Sequence, residues 1–486
     1  MSSQNLSIPK TISALRLSIA DGLFAQMFVN LTGSVFLPAF ALALNATPVQ
    51  VGMLAAIPFF ANTSQFLGSY LVERFQRRKL LTTGFSFVSR CMWIPVVLLS
   101  FWKGDSSPQF ALYGLLVLVL TSAILASFSG IAWLSWMAGL VPADIRGRFF
   151  GLRNSLLGVV TVSVTLAGSR FLDVLPNWFP GISQLRAFEI LFSFAVVAGM
   201  ISSYLLTKKP ELPTNFSVNT QFKKIYRAPL KNPDFRRLIE FSMIRSFATN
   251  IAAPFFIVYM LEDLQLSYST IGIFTILTSL ADLVGMWIWG HLSDQIGNKP
   301  VIVLVTIVTT FLPVCWLLTG PNDLTVFLLI PIFNLTGGFM WAGYNLCTVN
   351  LLFRMVPEEG NSAYFAFWSV LNGFCAGIGA LVGGVMAKNF DLLMALMPFS
   401  VDFGYKLLFL ISAMVRIIPL FLVFKIRENY GMPFVKAISV LRNVKSWGSL
   451  MGFNAPLHFF LPNRSDQDQP SPYWPLWRNP AARSRH

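Results

Sequence analysis

Twelve long apolar runs dominate this chain and restrict what it can fold into. A helix needs about 20 apolar residues to cross the hydrocarbon core of a bilayer. Only 12% of the 486 residues are charged and the mean hydropathy is +0.63, whereas soluble domains carry about 25% charged residues. The sequence therefore predicts an all-α membrane protein with twelve spans at 15–43, 49–71, 79–101, 109–139, 149–171, 187–207, 237–261, 269–290, 300–319, 324–353, 362–387 and 404–425.

Lysine and arginine cluster in alternate loops, those after spans 2, 4, 6 and 8. The segment from Lys208 through Arg237 alone has eight basic residues against two acidic ones. Basic loops remain on the cytoplasmic side of a membrane, so we expect a plasma (inner) membrane protein with both termini cytoplasmic. Membrane topology thus explains the net charge of +15, and we expect a lipid bilayer but no nucleic acid as a partner.

The two halves of the chain repeat one another. Adding 220 maps Asn30 to Asn250 and Gly52 to Gly272, and from span 4 onward an offset of 215 maps 141–144 to 356–359. Repeated sets of spans are typical of secondary transporters. This organisation predicts an N-terminal six-helix bundle at 1–207, a basic cytoplasmic linker at 208–236, a second six-helix bundle at 237–428, and a cytoplasmic tail at 429–486. The tail begins with 432–447, which suits a basic amphipathic helix or a loose segment, and we expect disorder from Ser465.

Short polar segments join span 2 to span 3 and span 8 to span 9. The second is too short for anything but a tight turn, and its Gly290 and Gly297 allow a positive φ and close packing. The pair of segments resembles the loop motif of the major facilitator superfamily. The copy after span 8 retains Gly290, Leu292, Asp294, Gly297 and Lys299, whereas the earlier copy has Ser69, Glu73 and Gln76 at three motif positions.

This resemblance implies two pseudo-symmetric six-helix bundles around a central cavity. In the family, helices 1, 4, 7 and 10 line the cavity and helices 2, 5, 8 and 11 flank it. The resemblance also implies a cytoplasmic gate, in which Glu73 and Asp294 contact arginines and helix N-termini of the opposite half. The candidate gate residues are Glu73, Arg74, Arg77, Arg146, Gly290, Asp294, Gly297 and Lys299.

Polar stripes run along several spans at steps of three and four residues. A polar side chain in hydrocarbon needs a protein or water partner, so these stripes face other helices or a cavity. The stripes fall on the helices that line or flank the cavity in the resembling family. The candidate cavity residues are Gln26, Asn30, Asn62, Gln65, Trp133, Trp136, Arg245, Asn250, Asp282, Asn334, Trp341, Asn345 and Asn372.

Spans 5 and 11 carry small residues at matching positions, which favours close packing between or within the bundles over ligand contact. On span 5 these are Gly151, Asn154, Gly158, Thr161, Thr165 and Gly168, and on span 11 they are Ala366, Ser369, Gly373, Ala376, Ala380 and Gly383.

Two carboxylates inside spans are candidates for proton coupling. Asp282 lies near the middle of span 8, where a carboxylate must be paired or protonated, and we expect Arg245 to be its partner. The alternative for this pair is a static buried ion pair. Asp21 lies about two turns into span 1, where Arg16 or Lys10 could pair with it.

Nothing in the sequence indicates an enzyme, since it has no phosphate-binding loop, dinucleotide fingerprint or nucleophile elbow. Its four cysteines lie inside spans without metal-ligand spacing, and we expect no cofactor. The sequence therefore predicts a monomeric, proton-coupled secondary transporter that moves a small solute by alternating access. An uncoupled facilitator, an exporter and a non-transporting sensor on the same fold are the alternatives. The Gly-Pro antiporter signature of the family is absent from 151–171.

Overall fold

The computed structural model describes residues 8–75, 77–99, 108–142, 145–211, 231–355, 361–390, 404–426 and 428. The chain within these ranges forms the twelve predicted spans. Their bounds are Ile8–Leu31 with Phe36–Ala43 (span 1), Pro48–Thr63 with Gln65–Phe75 (2), Arg78–Cys91 with Trp93–Leu98 (3), Pro108–Leu140 (4), Arg146–Trp178 (5), Gln184–Thr207 (6), Pro233–Ala252 with Phe255–Glu262 (7), Tyr268–Ile296 (8), Asn298–Cys315 with Trp316–Leu318 (9), Thr325–Leu329 with Ile330–Met355 (10), Asn361–Lys388 (11) and Lys406–Leu422 with Val423–Lys425 (12).

Eleven of these spans are long and apolar enough to cross a membrane as they stand. Span 2 completes the set in two shorter pieces that meet at Ser64. The chain is therefore a multi-pass membrane protein with the predicted all-α fold. Most of the predicted linker (212–230) and the tail (429–486, with its proposed amphipathic helix) lie outside the described residues.

The turn between spans 8 and 9 is even shorter than the sequence indicated. Span 8 continues to Ile296, so Gly290 lies inside the helix and the expectation of a positive φ there is wrong. Gly297 alone forms the turn, with φ of +94°. That conformation is strained for a residue with a Cβ, which explains why glycine stands there.

Spans 1 and 7 are each interrupted near the same point of the repeat. Span 1 breaks between Leu31 and Phe36, and span 7 breaks at Ala253 and Pro254. Pro254 cannot donate a backbone hydrogen bond to the preceding turn, and Ser34 adopts a φ of +47°. Each break follows directly on a stretch that bears a candidate cavity amide, Asn30 or Asn250.

The packing repeats between the two halves. Span 1 packs against spans 5 and 6, and span 4 against spans 2 and 3; in the second half, span 7 packs against spans 11 and 12, and span 10 against spans 8 and 9. Both halves thus present equivalent helices to one another, and spans 2 and 5 of the first half pack against spans 11 and 8 of the second.

We call the side of the molecule that carries Arg74, Lys208 and Lys299 the basic face, and the opposite side the far face.

The two halves are joined at the far face and separate at the basic face. One far-face hydrophobic cluster contains Val35 and Val51 together with Ile251 and Phe255 of the other half. The clusters near the basic face each belong to one half: one includes Leu15, Met137 and Phe149, and the other includes residues from Phe235 to Ile426. The described residues therefore close the space between the halves at the far face, and none of these clusters joins the halves near the basic face.

Candidate functional site

The far-face closure consists of two repeat-equivalent contacts. Gly52 of span 2 packs directly on the backbone of Ala380 and Gly384 of span 11. Gly272 of span 8 packs on the side chains of Ser169 and Thr165 of span 5. A Cβ at Gly52 would collide with the backbone of span 11, and one at Gly272 would displace the Ser169 side chain, so both small residues permit the close approach of the halves.

Asp173 adds a polar link across the same closure. Its carboxylate accepts hydrogen bonds from the backbone N–H groups of Tyr268 and Ser269, at 3.0 and 2.8 Å. The residue lies in the last two turns of span 5, and the two donors begin span 8, where a helix N-terminus favours an anion. The sequence offered no signal for this contact because Asp173 lies beyond the predicted end of its span.

A polar group in the first half lies just on the basic side of the break in span 1. The side-chain amides of Gln26 and Asn30 both donate to the hydroxyl of Thr161 on span 5, at 3.0 and 3.1 Å. Thr161 donates in turn to the backbone carbonyl of Leu157. The group is only partly buried, so its remaining amide oxygens can accept hydrogen bonds from a solute.

A matching group occurs in the second half. Ser246 donates to the side-chain oxygen of Asn372 on span 11 at 3.1 Å, and Asn250 donates to the carbonyl of Ser246 at 2.8 Å. Asn250 is the repeat counterpart of Asn30, and Ser246 is that of Gln26. The structure therefore places four of the predicted cavity amides (Gln26, Asn30, Asn250 and Asn372) in two groups, one in each half, under the far-face closure.

The predicted residues of span 10 divide between two environments. Trp341 is 39% exposed, and Asn345 lies one turn away on the same face of the helix. Asn334 instead accepts a hydrogen bond from Thr278 at 2.8 Å, where spans 8 and 10 pack closely. Trp341 and Asn345 therefore suit contact with a solute, while Asn334 holds two helices together.

Asp282 is half-buried on span 8 and has no salt-bridge partner among the described residues. Its Oδ1 is buried and accepts no hydrogen bond from any described residue. The expected pairing with Arg245 is wrong. Arg245 points into the second half, where it donates to the Thr309 hydroxyl at 2.9 Å and lies 4.2 Å from the ring centre of Tyr344.

Arg245 belongs to a buried group that also contains Arg416. Arg416 donates to the backbone carbonyl of Thr309 at 2.7 Å, so one threonine serves both guanidinium groups. The rings of Tyr344 and Trp341 stabilise Arg245 through cation–π contacts. Arg245 is 1% exposed, so this structure places it behind Trp341 rather than on the cavity surface.

Asp21 forms a buried ion pair, but with neither of the expected partners. Its carboxylate lies 2.6 Å from the Nζ of Lys209, just beyond span 6, and both side chains are almost fully buried. Burial lowers the pKa of Lys209, and the Asp21 carboxylate partly offsets that effect. The pair ties span 1 to the start of the segment that connects the halves.

Trp133 and Trp136 lie around this ion pair rather than beside the amide groups. The guanidinium of Arg153 lies over the ring of Trp133, 4.7 Å from the ring centre. The ring of Trp136 lies 5.7 Å from the Nζ of Lys209, and its indole N–H donates to the backbone carbonyl of Pro210. Both tryptophans therefore shield charges inside the first half.

Asn62 and Gln65 lie at the bend of span 2, where the side chain of Gln65 donates to that of Asn62 at 3.2 Å. Asn62 is exposed, and it is the repeat counterpart of Asp282. Both positions thus lie where spans 2 and 8 leave the far-face closure.

The candidate gate residues form no contact between the halves among the described side chains. Arg74 donates to Tyr70, and Arg146 donates to the carbonyls of Ala138 and Val141, all within the first half. Asp294 and Arg77 are exposed. The side chain of Glu73 lies outside the described part of the chain. The gate role of these residues therefore stays a prediction.

Two acidic residues that sequence reasoning missed cap helices at the basic face. Glu428, after span 12, accepts hydrogen bonds from the backbone N–H groups of Asn298 and Lys299 at 3.0 and 2.7 Å. Glu211, after span 6, accepts one from the N–H of Lys79 at 3.0 Å. Lys299 itself donates to a carbonyl at the end of span 12. Each acid lies just past the sixth span of its half, and this shared position is the sequence signal that could have identified both caps.

Among the described residues, the site combines amide side chains, a partly exposed indole and a carboxylate without an ion-pair partner, all on the basic side of the far-face closure. The described residues contain no group of three histidine, cysteine, aspartate or glutamate side chains that could hold a metal ion.

Comparisons with known proteins agree with this architecture. A family model described as Major Facilitator Superfamily matches residues 241–461. Among solved structures, a variant of the nucleoside transporter NupG aligns with a TM-score of 0.66 at 13% identity, covering 85% of this chain and all of the other. A D-xylose–proton symporter aligns at 0.59 and 16% identity, covering 89% and 99%. A bacterial homologue of the iron transporter ferroportin, in an inward-facing state, aligns at 0.60 and 13%, covering 86% and 99%. No curated protein sequence matches the chain. At these identities the solved structures establish the fold alone.

Proposed function

We propose that this chain, a major facilitator superfamily protein by its fold and by the family match to its second half, is a secondary active transporter. It moves a small solute by alternating access and couples that movement to protons. It acts as a monomer in the plasma membrane, with both termini in the cytoplasm.

The one-sided closure carries this proposal. The halves seal at the far face through Gly52 and Gly272, while the polar groups around Asn30 and Asn250 lie on the open side of that seal. A carrier requires such a site, reachable from one side at a time. The lysines and arginines of the basic face favour a cytoplasmic position for it, so we assign the structure to an inward-open state.

Asp282 is the better of the two candidates for proton coupling. It has no described ion-pair partner and borders the open space, so it can gain or lose a proton as its surroundings change. Asp21 already has Lys209 at 2.6 Å in a site sealed from solvent. We therefore assign the proton to Asp282 and a structural role to the Asp21–Lys209 pair.

Amides and a partly exposed indole favour a solute with several hydroxyl or amide groups. Amide side chains donate and accept hydrogen bonds, and an indole face covers the apolar side of a sugar-like or heterocyclic ring. The nucleoside and D-xylose transporters among the structural neighbours are named for solutes of this kind. Nucleosides and pentoses should therefore head the panel of trial solutes.

A stabilisation screen followed by uptake tests the proposal. Purified protein is heated with each solute of the panel, and solutes that raise the melting temperature are assayed in proteoliposomes with an imposed pH gradient. We expect accumulation above equilibrium that Asp282→Asn abolishes, while the control Asp234→Asn at the basic face retains it. Equilibration without accumulation would indicate an uncoupled facilitator. Accumulation that survives Asp282→Asn would exclude this residue as the coupling group.

A further inference from the structure

The interface between spans 5 and 8 and the interface between spans 2 and 11 differ at equivalent positions. We call them the 5–8 seam and the 2–11 seam. At the far face both are closed, because Gly52 meets span 11 as Gly272 meets span 5. Deeper in, a Cβ at Gly373 would lie 3.2 Å from the carbonyl oxygen of Phe59, so the 2–11 seam is still closed there.

The 5–8 seam is open at the corresponding level. Gly158 is the repeat counterpart of Gly373, and Ser279 is that of Phe59. No described atom lies within 4 Å of a Cβ built at Gly158, and the same holds for Gly151 and Gly147 farther along span 5. The two seams therefore close to different depths, even though the repeat supplies equivalent residues to both.

Asp282 lies on the stripe of span 8 that the open seam exposes. This stripe begins at Gly272, which touches span 5, and continues at steps of three and four through Thr275 and Ser279 to Asp282 and Met286. Asp282 is ten residues from Gly272, roughly 15 Å along the helix axis. It thus lies below the point where spans 5 and 8 separate.

The facing stripe of span 5 is small and polar. Gly151, Asn154 and Ser155 are exposed although they belong to a membrane span. An exposed amide at such a depth requires water, so the gap holds water rather than lipid. The same stripe packs closely farther along, where Thr165 and Ser169 meet Gly272, which shows that its residues are small enough for full closure.

No other charge compensates Asp282 among the described residues. Span 10 brings no titratable side chain between Ile330 and Trp341, and Arg153 of span 5 is held on Trp133. The one charged residue of span 9, Lys299, lies at the basic face. Span 7 has Arg245 turned toward Thr309 and Tyr344, its other charged residues near the basic face, and Glu262 at the far face. His291 and Asp294 lie two to three turns away on the same helix. Closure of the seam would bury the ionised carboxylate against a glycine-lined helix without a partner.

We infer that the 5–8 seam is the moving seam of the transport cycle, that Gly158 and Asn154 form the surface that receives span 8, and that the seam closes only when Asp282 is neutral. Burial penalises the ionised form of a carboxylate, so protonation of Asp282 favours the closed seam and deprotonation favours the open one. This inference rests on the proposed function and supplies its coupling step. A proton, or a cationic group of a solute, would then permit closure.

Cross-linking in the full chain tests this directly. A protease site inserted within 212–230 separates the halves unless a disulfide joins them. Gly158→Cys with Ser279→Cys reports the 5–8 seam, and the repeat-equivalent pair Phe59→Cys with Gly373→Cys is the matched control. The chain with only its four native cysteines gives the background. Yields of joined halves are compared at pH 5.5 and pH 8.

We expect the control pair to join the halves at both pH values. The yield of the Gly158–Ser279 pair, divided by that of the control, should rise as pH falls, by up to about tenfold per pH unit for one proton. Asp282→Asn should make that ratio high at both pH values. A ratio that is independent of pH, or unchanged by Asp282→Asn, overturns the inference.

A second measurement covers variants that do not fold. Asn154→Cys alone is labelled with a hydrophilic thiol reagent, and we expect Asp282→Asn to slow the labelling several-fold because the seam closes. Unchanged labelling counts against the inference. Neither result depends on transport, so a failure of proton-driven uptake would refute the proposed function without affecting the test of the seam.

Discussion

The two halves share a helix arrangement but differ in the partners of their buried charged side chains. In the first half, Asp21 is paired with Lys209 at 2.6 Å, and Arg153 stacks on Trp133 nearby. In the second half, Arg245 and Arg416 share Thr309 without a described carboxylate, while Asp282 stands unpaired at the open seam. The first half thus holds a fixed ion pair, and the second leaves its acid free.

The difference indicates that two repeated halves can share solute binding while one of them alone supplies the coupling residue. Both halves place an amide, Asn30 or Asn250, at the same position of the repeat, as expected if both halves hold one solute between them. Among the described residues, the acid without an ion-pair partner at this level is Asp282 of the second half, whose counterpart in the first half is the neutral Asn62. Symmetric residues suit solute binding and closure, and the asymmetric acid suits coupling.

Substitution of the two acids should separate these roles most clearly. Asp21→Asn leaves Lys209 buried without its partner, and breaking a buried pair in this way costs about 3–5 kcal/mol. Asp282→Asn removes an unpaired charge and should leave the melting temperature nearly unchanged or raise it. Thermal unfolding in detergent measures both.

The control for this prediction is the double variant Asp21→Asn with Lys209→Met, which removes both charges. It should recover most of the stability that Asp21→Asn loses. Equal effects of Asp21→Asn and Asp282→Asn would show that the ion pair of the first half has no structural role.

The sequence predicted the twelve spans, the repeat and the amide groups because hydropathy and helical periodicity report on these features directly. It could not identify Lys209 as the partner of Asp21, because the two are far apart in the chain and Lys209 lies outside every apolar run. It also paired Arg245 with Asp282, although the rotation of span 7 about its axis turns Arg245 toward Thr309 and Tyr344. That rotation is set by the packing of span 7 against spans 11 and 12.

The two acids that cap helices at the basic face form a second comparison. Glu428 accepts from two backbone N–H groups and pairs with Arg354 at 3.0 Å, whereas Glu211 caps only Lys79. Glu428→Gln should therefore lower stability by about 1–3 kcal/mol, and Glu211→Gln by less. Thermal unfolding of the two variants tests this order, and an equal or larger loss for Glu211→Gln would contradict it.

The predicted gate illustrates a different limit of sequence reasoning. Asp294 and Arg146 belong to the predicted gate, yet among the described residues neither contacts the opposite half. One sequence must encode every state that a transporter adopts, and a single structure describes one of them. A residue that acts only in the closed state remains a prediction when the open state is observed. The helix caps at Glu428 and Glu211, by contrast, lie within single halves and do not require closure.

The two seams give the smallest but sharpest comparison. Gly373→Ala places a methyl group 3.2 Å from the Phe59 carbonyl in the closed 2–11 seam, so the neighbouring helix must shift and stability should fall. Gly158→Ala meets open space, and alanine is favoured over glycine in a helix by up to about 1 kcal/mol. In the open state Gly158→Ala should therefore be neutral or stabilising, while the added methyl group obstructs closure of the 5–8 seam. Melting temperatures at pH 8, where we expect the 5–8 seam to be open, should rank Gly158→Ala above the parent chain and Gly373→Ala below it. The reverse order would show that the two seams do not differ as the structure indicates.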